Sequence, residues 1–114
     1  MNILIILNDP PYGTERSYNG LRLAKALGTE GAKVTLFLLA DAVVCANRGQ
    51  KVPQGFYNVE LMLKSVTRNG EVLLCGTCMD ARGINDEAVV EGCKRSTMKE
   101  LAERTLGADQ VLVF

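Results

Sequence analysis

The sequence predicts an α/β domain in which helices cover a mostly parallel β-sheet. Its apolar runs, such as residues 2–7 and 34–39, are continuous rather than alternating, which is typical of strands covered on both faces. Helical segments separate these runs, and this alternation is typical of βαβ units. The chain has 114 residues, close to the commonest size of one domain, and 47% of them are hydrophobic. We therefore expect a single domain over residues 1–114.

The first half of the chain predicts two strands and two helices. The strand over residues 2–7 stops at a turn cluster, after which Thr14 is expected to cap a helix with Glu15 in its first turn. Gly31 should end that helix in the left-handed conformation. Three elements are predicted after the strand over 34–39. They are a short helical turn at 40–47, an exposed loop at 48–55, and a helix capped by Asn58 and closed by residues 69–70.

The second half predicts three more strands. Its elements are a strand at 72–75, a short helix at 85–91, a short strand at 93–94, a helix starting at 96–97 and ending at Gly107, and an apolar strand at 110–114. Thr97 and Glu100 have the spacing of a capping box at the start of the last helix. The last strand is strongly apolar, and an apolar edge strand is an association hazard unless another surface covers it.

Composition excludes several classes of function. Thirteen basic residues balance thirteen acidic ones without a basic run, so we expect no nucleic-acid partner. The chain has no histidine, which removes Ser-His-Asp and Cys-His catalysis within one subunit and the commonest metal ligand. No metal or cofactor is expected. A first strand beginning at Asn2 leaves no room for a signal segment, and no apolar stretch approaches the ~20 residues of a membrane span, so we expect a cytoplasmic protein with reduced thiols.

The main candidate for chemistry is the pair Cys75 and Cys78. The chain leaves a buried strand at Cys75, passes Gly76 and Thr77, and enters a helix, whose free N–H groups stabilise a thiolate. Arg82, about one turn beyond Cys78, is expected to add to this effect. The alternative is that both thiols are simply buried apolar residues. One Cys-x-x-Cys pair is weak support for zinc. Packing roles are favoured for the other two thiols, Cys45 and Cys93.

Other polar residues follow the predicted strands at the same edge of the sheet, where ligands bind in open α/β folds. The loop after the first strand contains the candidate binding residues Asn8, Asp9, Tyr12 and Gly13. This loop either binds an anion through its backbone or is a tight connection stiffened by two prolines. Asp41 is predicted to be a helix cap first and a wall of the thiol pocket second. Neither the loop nor Asp41 is expected to do the chemistry.

The sequence resembles the DsrE/DsrF-like family of small sulfur-relay proteins over nearly its whole length. The resemblance rests on residues 8–16, 34–41, 75–84 and 108–114, and the segment from the cysteines to Arg-Gly is the specific part. It implies a three-layer sandwich with a five-stranded, mostly parallel sheet between helices on both faces. It also implies a homotrimer or a homohexamer formed from two trimers.

The resemblance further implies a role for one thiol. Members of the sulfur-transferring branch carry a reactive cysteine eight positions before the glycine of the Arg-Gly pair, which here is Cys75, since that glycine is Gly83. Such proteins accept sulfane sulfur from a protein donor as a persulfide and pass it to a protein acceptor. This chain differs from the pattern in its second thiol, Cys78, and in Ala42, where relatives often have glycine.

Two functions follow from the sequence. The leading hypothesis is an intracellular sulfur carrier, or sulfurtransferase-like protein, with Cys75 as the sulfur acceptor and Cys78 as the assistant. Helix electrostatics favours Cys78 as the easier thiolate, whereas the spacing to Arg82-Gly83 favours Cys75, and we follow the spacing. The alternative is a non-catalytic oligomeric module that binds a small anionic ligand at the carboxyl ends of the strands.

Overall fold

A computed structural model describes residues 1–114 and contains one five-stranded sheet. The strands are β1 (Asn2–Leu7), β2 (Lys33–Leu38), β3 (Glu71–Cys75), β4 (Cys93–Ser96) and β5 (Gln110–Val113). Their order across the sheet is β4-β3-β2-β1-β5, and every neighbouring pair is parallel. The α/β class and the parallel sheet predicted from the continuous apolar runs are confirmed.

Four α-helices connect the strands, namely α1 (Arg16–Thr29), α2 (Val59–Thr67), α3 (Gly76–Ala81) and α4 (Met98–Gly107). Two 3₁₀ segments, Ala40–Ala46 and Asp86–Ala88, precede α2 and β4. The first three connections move across the sheet in one direction and α4 returns across it, so right-handed crossovers place α1, α2 and α3 on one face and α4 on the other. No helix is both long and apolar enough to cross a membrane.

The core lies mainly between the central strands and the helices α1 and α2. A cluster of 25 buried residues fills it, and most of the residues of β1, β2 and β3 belong to this cluster. Side chains on a strand alternate between the faces, so near-complete burial of these strands requires cover on both sides. The edge strand β5 is the exception, because most of its residues are exposed.

Several predicted helix ends are confirmed. Gly31 has a φ of 94°, the left-handed conformation expected after α1. Asn58 caps α2 by accepting the N–H of Leu61 at 3.2 Å. At α4 the hydroxyl of Thr97 accepts the N–H of Glu100 at 3.1 Å, but the carboxylate of Glu100 bonds the Ser96 hydroxyl instead of completing the capping box.

The predicted start of α1 is wrong by one residue. The helix begins at Arg16, and Glu15 rather than Thr14 precedes its first residue. The Thr14 hydroxyl instead donates to the carboxylate of Asp9 at 2.6 Å and accepts the N–H of Arg16 at 3.3 Å. Asp9 thus holds the hydroxyl in the loop, and Glu15 lies before the first turn rather than inside it.

The helix predicted over residues 85–91 is also wrong. Only Asp86–Ala88 forms a single 3₁₀ turn. The residues after it are extended because Val89 forms an isolated antiparallel bridge with Asn47, and the N–H of Val90 donates to the carbonyl of Ala46 at 2.8 Å. Pairing with a segment more than forty residues away therefore overrides the local helical pattern.

Two glycines of α1 differ sharply in their surroundings and form a matched test of packing. A Cβ at Gly20 would overlap Cδ2 of Leu7 and lie 3.3 Å from the ring of Phe114, whereas a Cβ at Gly28 would meet nothing within 4 Å. Alanine in a helix is more stable than glycine by roughly 0.5–1 kcal/mol when it fits. Where a methyl group must displace core atoms, overpacking costs about 1–3 kcal/mol.

We expect Gly28→Ala to raise the free energy of unfolding by about 0.5–1 kcal/mol and Gly20→Ala to lower it by roughly 1 kcal/mol or more. Urea denaturation followed by circular dichroism measures both variants against the parent chain. An equal gain in stability from both substitutions would contradict the close contact of α1 with Leu7 and Phe114.

Candidate functional site

The two predicted thiols meet where β3 passes directly into α3. Cys75 is the last residue of β3 and also the N-cap of α3, and its Sγ accepts the N–H of Cys78 at 3.4 Å. Gly76 permits this abrupt turn, since a Cβ there would lie 3.0 Å from Nη1 of Arg95 and 3.1 Å from the carbonyl oxygen of Ser96. The helix expected at this strand end is present, but it begins earlier than predicted, at Gly76, and already contains Cys78.

A second backbone N–H points at the other sulfur. The N–H of Ala40, which follows β2, donates to Sγ of Cys78 at 3.2 Å. Ala40 has a φ of 50°, a left-handed conformation that is uncommon for a residue with a side chain. Strained residues of this kind often lie at functional sites. Sequence reasoning did not single out Ala40, because an alanine carries no signal of such a conformation.

The environment of Cys75 disfavours its thiolate. The side chain is almost buried, with 7% of the residue exposed, and this burial raises the pKa of the thiol. The neighbouring Cys78 thiol raises the pKa further, and the N–H of Cys78 acts in the opposite direction. Burial therefore outweighs the thiolate stabilisation that we expected from the start of the helix. Cys78 is half-buried and is therefore the more accessible residue of the pair.

Arg82 and Asp41 hold the β3–α3 turn on the side of β2, because Asp41 lies in the segment that follows that strand. Nε and Nη2 of Arg82 each lie 2.9 Å from Oδ1 of Asp41, and Nη1 donates to the carbonyl of Cys78 at 3.0 Å. The guanidinium is therefore engaged by a carboxylate. The prediction that Asp41 caps a helix is wrong, because it lies inside the 3₁₀ segment and Leu39 precedes that segment without a side-chain cap. The pairing with Arg82 accounts for its position.

Arg95 holds the same turn on the opposite side, that of β4, in which it lies. Its Nη1 donates to the carbonyl of Gly76 at 3.1 Å and to Asp80 at 3.0 Å, and its Nε donates to Asp86 at 2.8 Å. The two carboxylates raise the pKa of the arginine. Sequence reasoning missed Arg95, since only the pairing of β3 with β4 brings it beside the cysteines.

The loop after β1 lies at the same edge of the sheet, yet none of its residues hydrogen-bonds either thiol of the pair. The backbone N–H and Nδ2 of Asn8 both donate to the carbonyl of Phe114, at 3.1 and 3.2 Å, on the side of β1 away from β3. The Tyr12 hydroxyl bonds Gln50 and accepts the N–H of Val59 at 3.0 Å. Gly13 is exposed beside the loop prolines.

The backbone of Asp9 connects this loop to the interior. Its carbonyl accepts the hydroxyl of Ser17 at 2.7 Å and the thiol of Cys45 at 3.7 Å. Cys45 is fully buried in the core, as predicted, and burial raises its pKa to about 12. Burial also raises the pKa of Cys93 to about 11. Thr77, which lies between the two cysteines of the pair, is exposed on the first turn of α3.

We expect iodoacetamide to label Cys78 first in the native protein, then Cys75, and Cys45 and Cys93 last. The thiolate is the reacting form, and a thiol with a pKa of about 11 is ionised in only about one molecule in a thousand at pH 8. Peptide mass spectrometry over time gives the order. In urea all four cysteines should react at similar rates. Native labelling of Cys45 ahead of either member of the pair would contradict this account.

Known proteins are similar to this chain in sequence and fold. The chain matches the model of the DsrE/DsrF-like family over residues 1–114. It is 45% identical to Protein YchN of Escherichia coli (strain K12) over 115 residues, which span 98% of this chain and 97% of YchN. An uncharacterised protein of Methanopyrus kandleri is 34% identical over 112 residues, spanning 98% of this chain and 93% of that protein.

Two solved structures are similar as well. The crystal structure of YchN from E. coli has a TM-score of 0.95 at 44% identity and covers 100% of this chain and 99% of its own. A protein of unknown function from Methanobacterium thermoautotrophicum shares the fold at 14% identity, with a TM-score of 0.74 and coverage of 96% and 95%. This chain belongs to the DsrE/DsrF-like family.

Proposed function

We propose that this protein is a cysteine-based sulfur carrier that holds sulfane sulfur as a persulfide on Cys75, with Cys78 as the assisting thiol. The observation that carries the proposal is the placement of two free thiols at one strand end, with a backbone N–H directed at each sulfur. Membership of the DsrE/DsrF-like family is consistent with a sulfur-relay role. The donor and the acceptor are proposed to be proteins.

Loading is an exchange between a thiol and a persulfide. The sulfur of Cys75 attacks the outer sulfur of the donor persulfide, the donor's S–S bond breaks, and the donor thiolate leaves with the electron pair. The proton lost from Cys75 restores the donor thiol, so one thiol and one persulfide give one persulfide and one thiol. No external oxidant or reductant is required.

The assignment of Cys75 rests on its backbone position. A residue that is both the end of a central strand and the cap of a helix has little freedom, so its sulfur is held in one place. Its burial and raised pKa make the free thiol slow toward general electrophiles, which suits a carrier that should react only with a docked donor. Cys78 is more accessible, so variants of each thiol must be compared.

The surrounding residues are proposed to shape access to the thiols without doing chemistry. Asp41 and Arg82 hold the β3–α3 turn on the side of β2. The loop from Asn8 to Gly13 follows β1, so it lies farther from the thiols at the same edge of the sheet. The alternative function, binding of a small anion by that loop, has less support. The backbone N–H and Nδ2 of Asn8 both donate to the carbonyl of Phe114, and the carboxylate of Asp9 adds a negative charge. A cytoplasmic location stays a prediction.

We expect Cys75→Ser to abolish loading from a sulfane donor, while Cys78→Ser still loads and changes only the rate or the lifetime of the persulfide. Intact mass spectrometry detects the added sulfur atom. Cys93→Ser is the control and should load like the parent chain, since Cys93 lies in β4 outside the pair. Loading that survives in Cys75→Ser and disappears in Cys78→Ser would reverse the assignment. Absence of loading in every chain would refute the carrier function.

We also propose that the protein is a homotrimer or homohexamer. The ring of Phe114 faces α1 beside Gly20, so alternation turns Val111 and Val113 of β5 toward the face that carries α4. These valines are 38% and 63% exposed, and Leu106 of α4 is 88% exposed. An unpaired edge strand with exposed apolar side chains favours association.

We expect light scattering at micromolar concentration to give a trimer or hexamer, and Val113→Lys to shift the protein toward the monomer by placing a charge on the interface. Leu61→Lys provides a matched control, because Leu61 is equally exposed, at 60%, but lies on α2 across the sheet. A monomeric parent chain would contradict the proposed assembly. Dissociation by Leu61→Lys alone would move the interface to the other face.

A further inference from the structure

We infer that Cys78 discharges the persulfide of Cys75 when no acceptor is bound, forming a Cys75–Cys78 disulfide and releasing sulfide. This inference rests on the proposed function, because it begins from the loaded persulfide. It gives the protein a second activity, the reduction of sulfane sulfur to hydrogen sulfide, and it limits how long an unused persulfide persists.

The sulfur of Cys75 lies against the residue that carries the second thiol. Sγ of Cys75 accepts the N–H of Cys78 at 3.4 Å, and the Cys78 thiol is one of the groups that raise the pKa of Cys75. The spacing, with the first cysteine as N-cap and the second in the first turn, is also that of redox-active Cys-x-x-Cys pairs in thiol oxidoreductases. We therefore expect the disulfide to close mainly by a change of side-chain torsion, as it does in those pairs.

Cys78 is the only thiol that lies beside Cys75 and could attack its persulfide. Cys45 is buried in the core and bonds the carbonyl of Asp9, while Cys93 lies in β4 with its side chain desolvated. Cys78 is half-buried, so it retains contact with solvent through which a proton can leave. An internal thiol held next to its target also reacts at a high effective concentration, which external thiols cannot match.

The step balances without an external oxidant. The Cys78 thiol loses its proton, and its sulfur attacks the inner sulfur of the Cys75 persulfide. The bond between the inner and outer sulfur atoms breaks, and the outer sulfur leaves with the electron pair as hydrosulfide, which takes up the proton. Two cysteine sulfur atoms are oxidised to the disulfide, and the sulfane sulfur is reduced to sulfide. A dithiol reductant then returns the protein to its free-thiol form.

Attack on the outer sulfur would move the persulfide to Cys78 and release the Cys75 thiolate instead. The structure disfavours that route, since burial and the neighbouring thiol raise the pKa of Cys75, and a thiol of higher pKa leaves more slowly. Hydrosulfide carries its charge into solvent when it leaves. The two routes thus differ in where the negative charge appears, and the buried strand end favours its release as sulfide.

The experiment loads the reduced protein anaerobically with glutathione persulfide, removes the donor by gel filtration, and follows three quantities over time. These are the intact mass, the sulfide released, and the modified peptides after alkylation. The chains compared are the parent, Cys78→Ser, Cys78→Ala and the control Cys93→Ser. A parent sample that never received the donor must keep its free thiols, so that oxidation by residual oxygen is excluded.

We expect the parent and Cys93→Ser to lose the added sulfur, release one sulfide per loaded chain, and end as the Cys75–Cys78 disulfide. Both Cys78 variants should keep the persulfide at least about tenfold longer and release no burst of sulfide, because the internal thiol is absent. Equal persulfide lifetimes in the parent and in both loaded Cys78 variants would overturn the inference while leaving the carrier function standing. Recovery of the added sulfur on Cys78 would overturn it as well. Failure of the Cys78 variants to load would instead refute the proposed assignment of Cys75.

Discussion

The arrangement of the thiols depends on the close approach of the β3–α3 turn to strand β4. At Gly76 a side chain would be crowded, because a Cβ there would lie 3.0 Å from Nη1 of Arg95 and 3.1 Å from the carbonyl oxygen of Ser96. The chain changes from strand to helix between Cys75 and Gly76, which makes Cys75 the cap of α3 and places Cys78 in its first turn. The close approach to β4 lets Arg95 donate to the carbonyl of Gly76.

The parallel sheet supplies the remaining part of the site. Strands β2 and β3 run side by side in register, with Leu38 opposite Leu74, so the chain leaving β2 passes next to the thiols. There it adopts the strained conformation of Ala40, whose N–H reaches Cys78, and continues to Asp41, which pairs with Arg82. Two consecutive residues of one connection thus contact the sulfur and brace the helix that carries it. Strain at Ala40 is offset by the rigid strands on which the connection is built.

Sequence reasoning predicted the elements whose conformation depends on nearby residues or on a pattern repeated along a strand. It failed for the elements whose conformation depends on contacts with distant segments. Continuous apolar runs were sufficient for the sheet, and the Asn58 cap followed from its side chain. The helix expected over residues 85–91 was lost to pairing of Val89 with Asn47. The cysteines could be assigned to one strand end, but their partners Ala40 and Arg95 come from neighbouring strands. A left-handed alanine and a bracing arginine become visible only once the sheet order is known.

Burial of Cys75 and a role in carrying sulfur are compatible when the position of the charge is considered. In the free thiol, ionisation would place the negative charge on Sγ itself, which is almost buried, and burial accordingly raises the pKa. A persulfide extends the side chain by one atom, so its charge would lie on the outer sulfur, farther from the desolvated strand end. The same environment would then penalise the loaded anion less than the unloaded one. A site that suppresses the reactivity of the empty thiol could thereby tolerate the sulfur that the proposed function places there, and the half-buried Cys78 beside it would determine how long that sulfur stays.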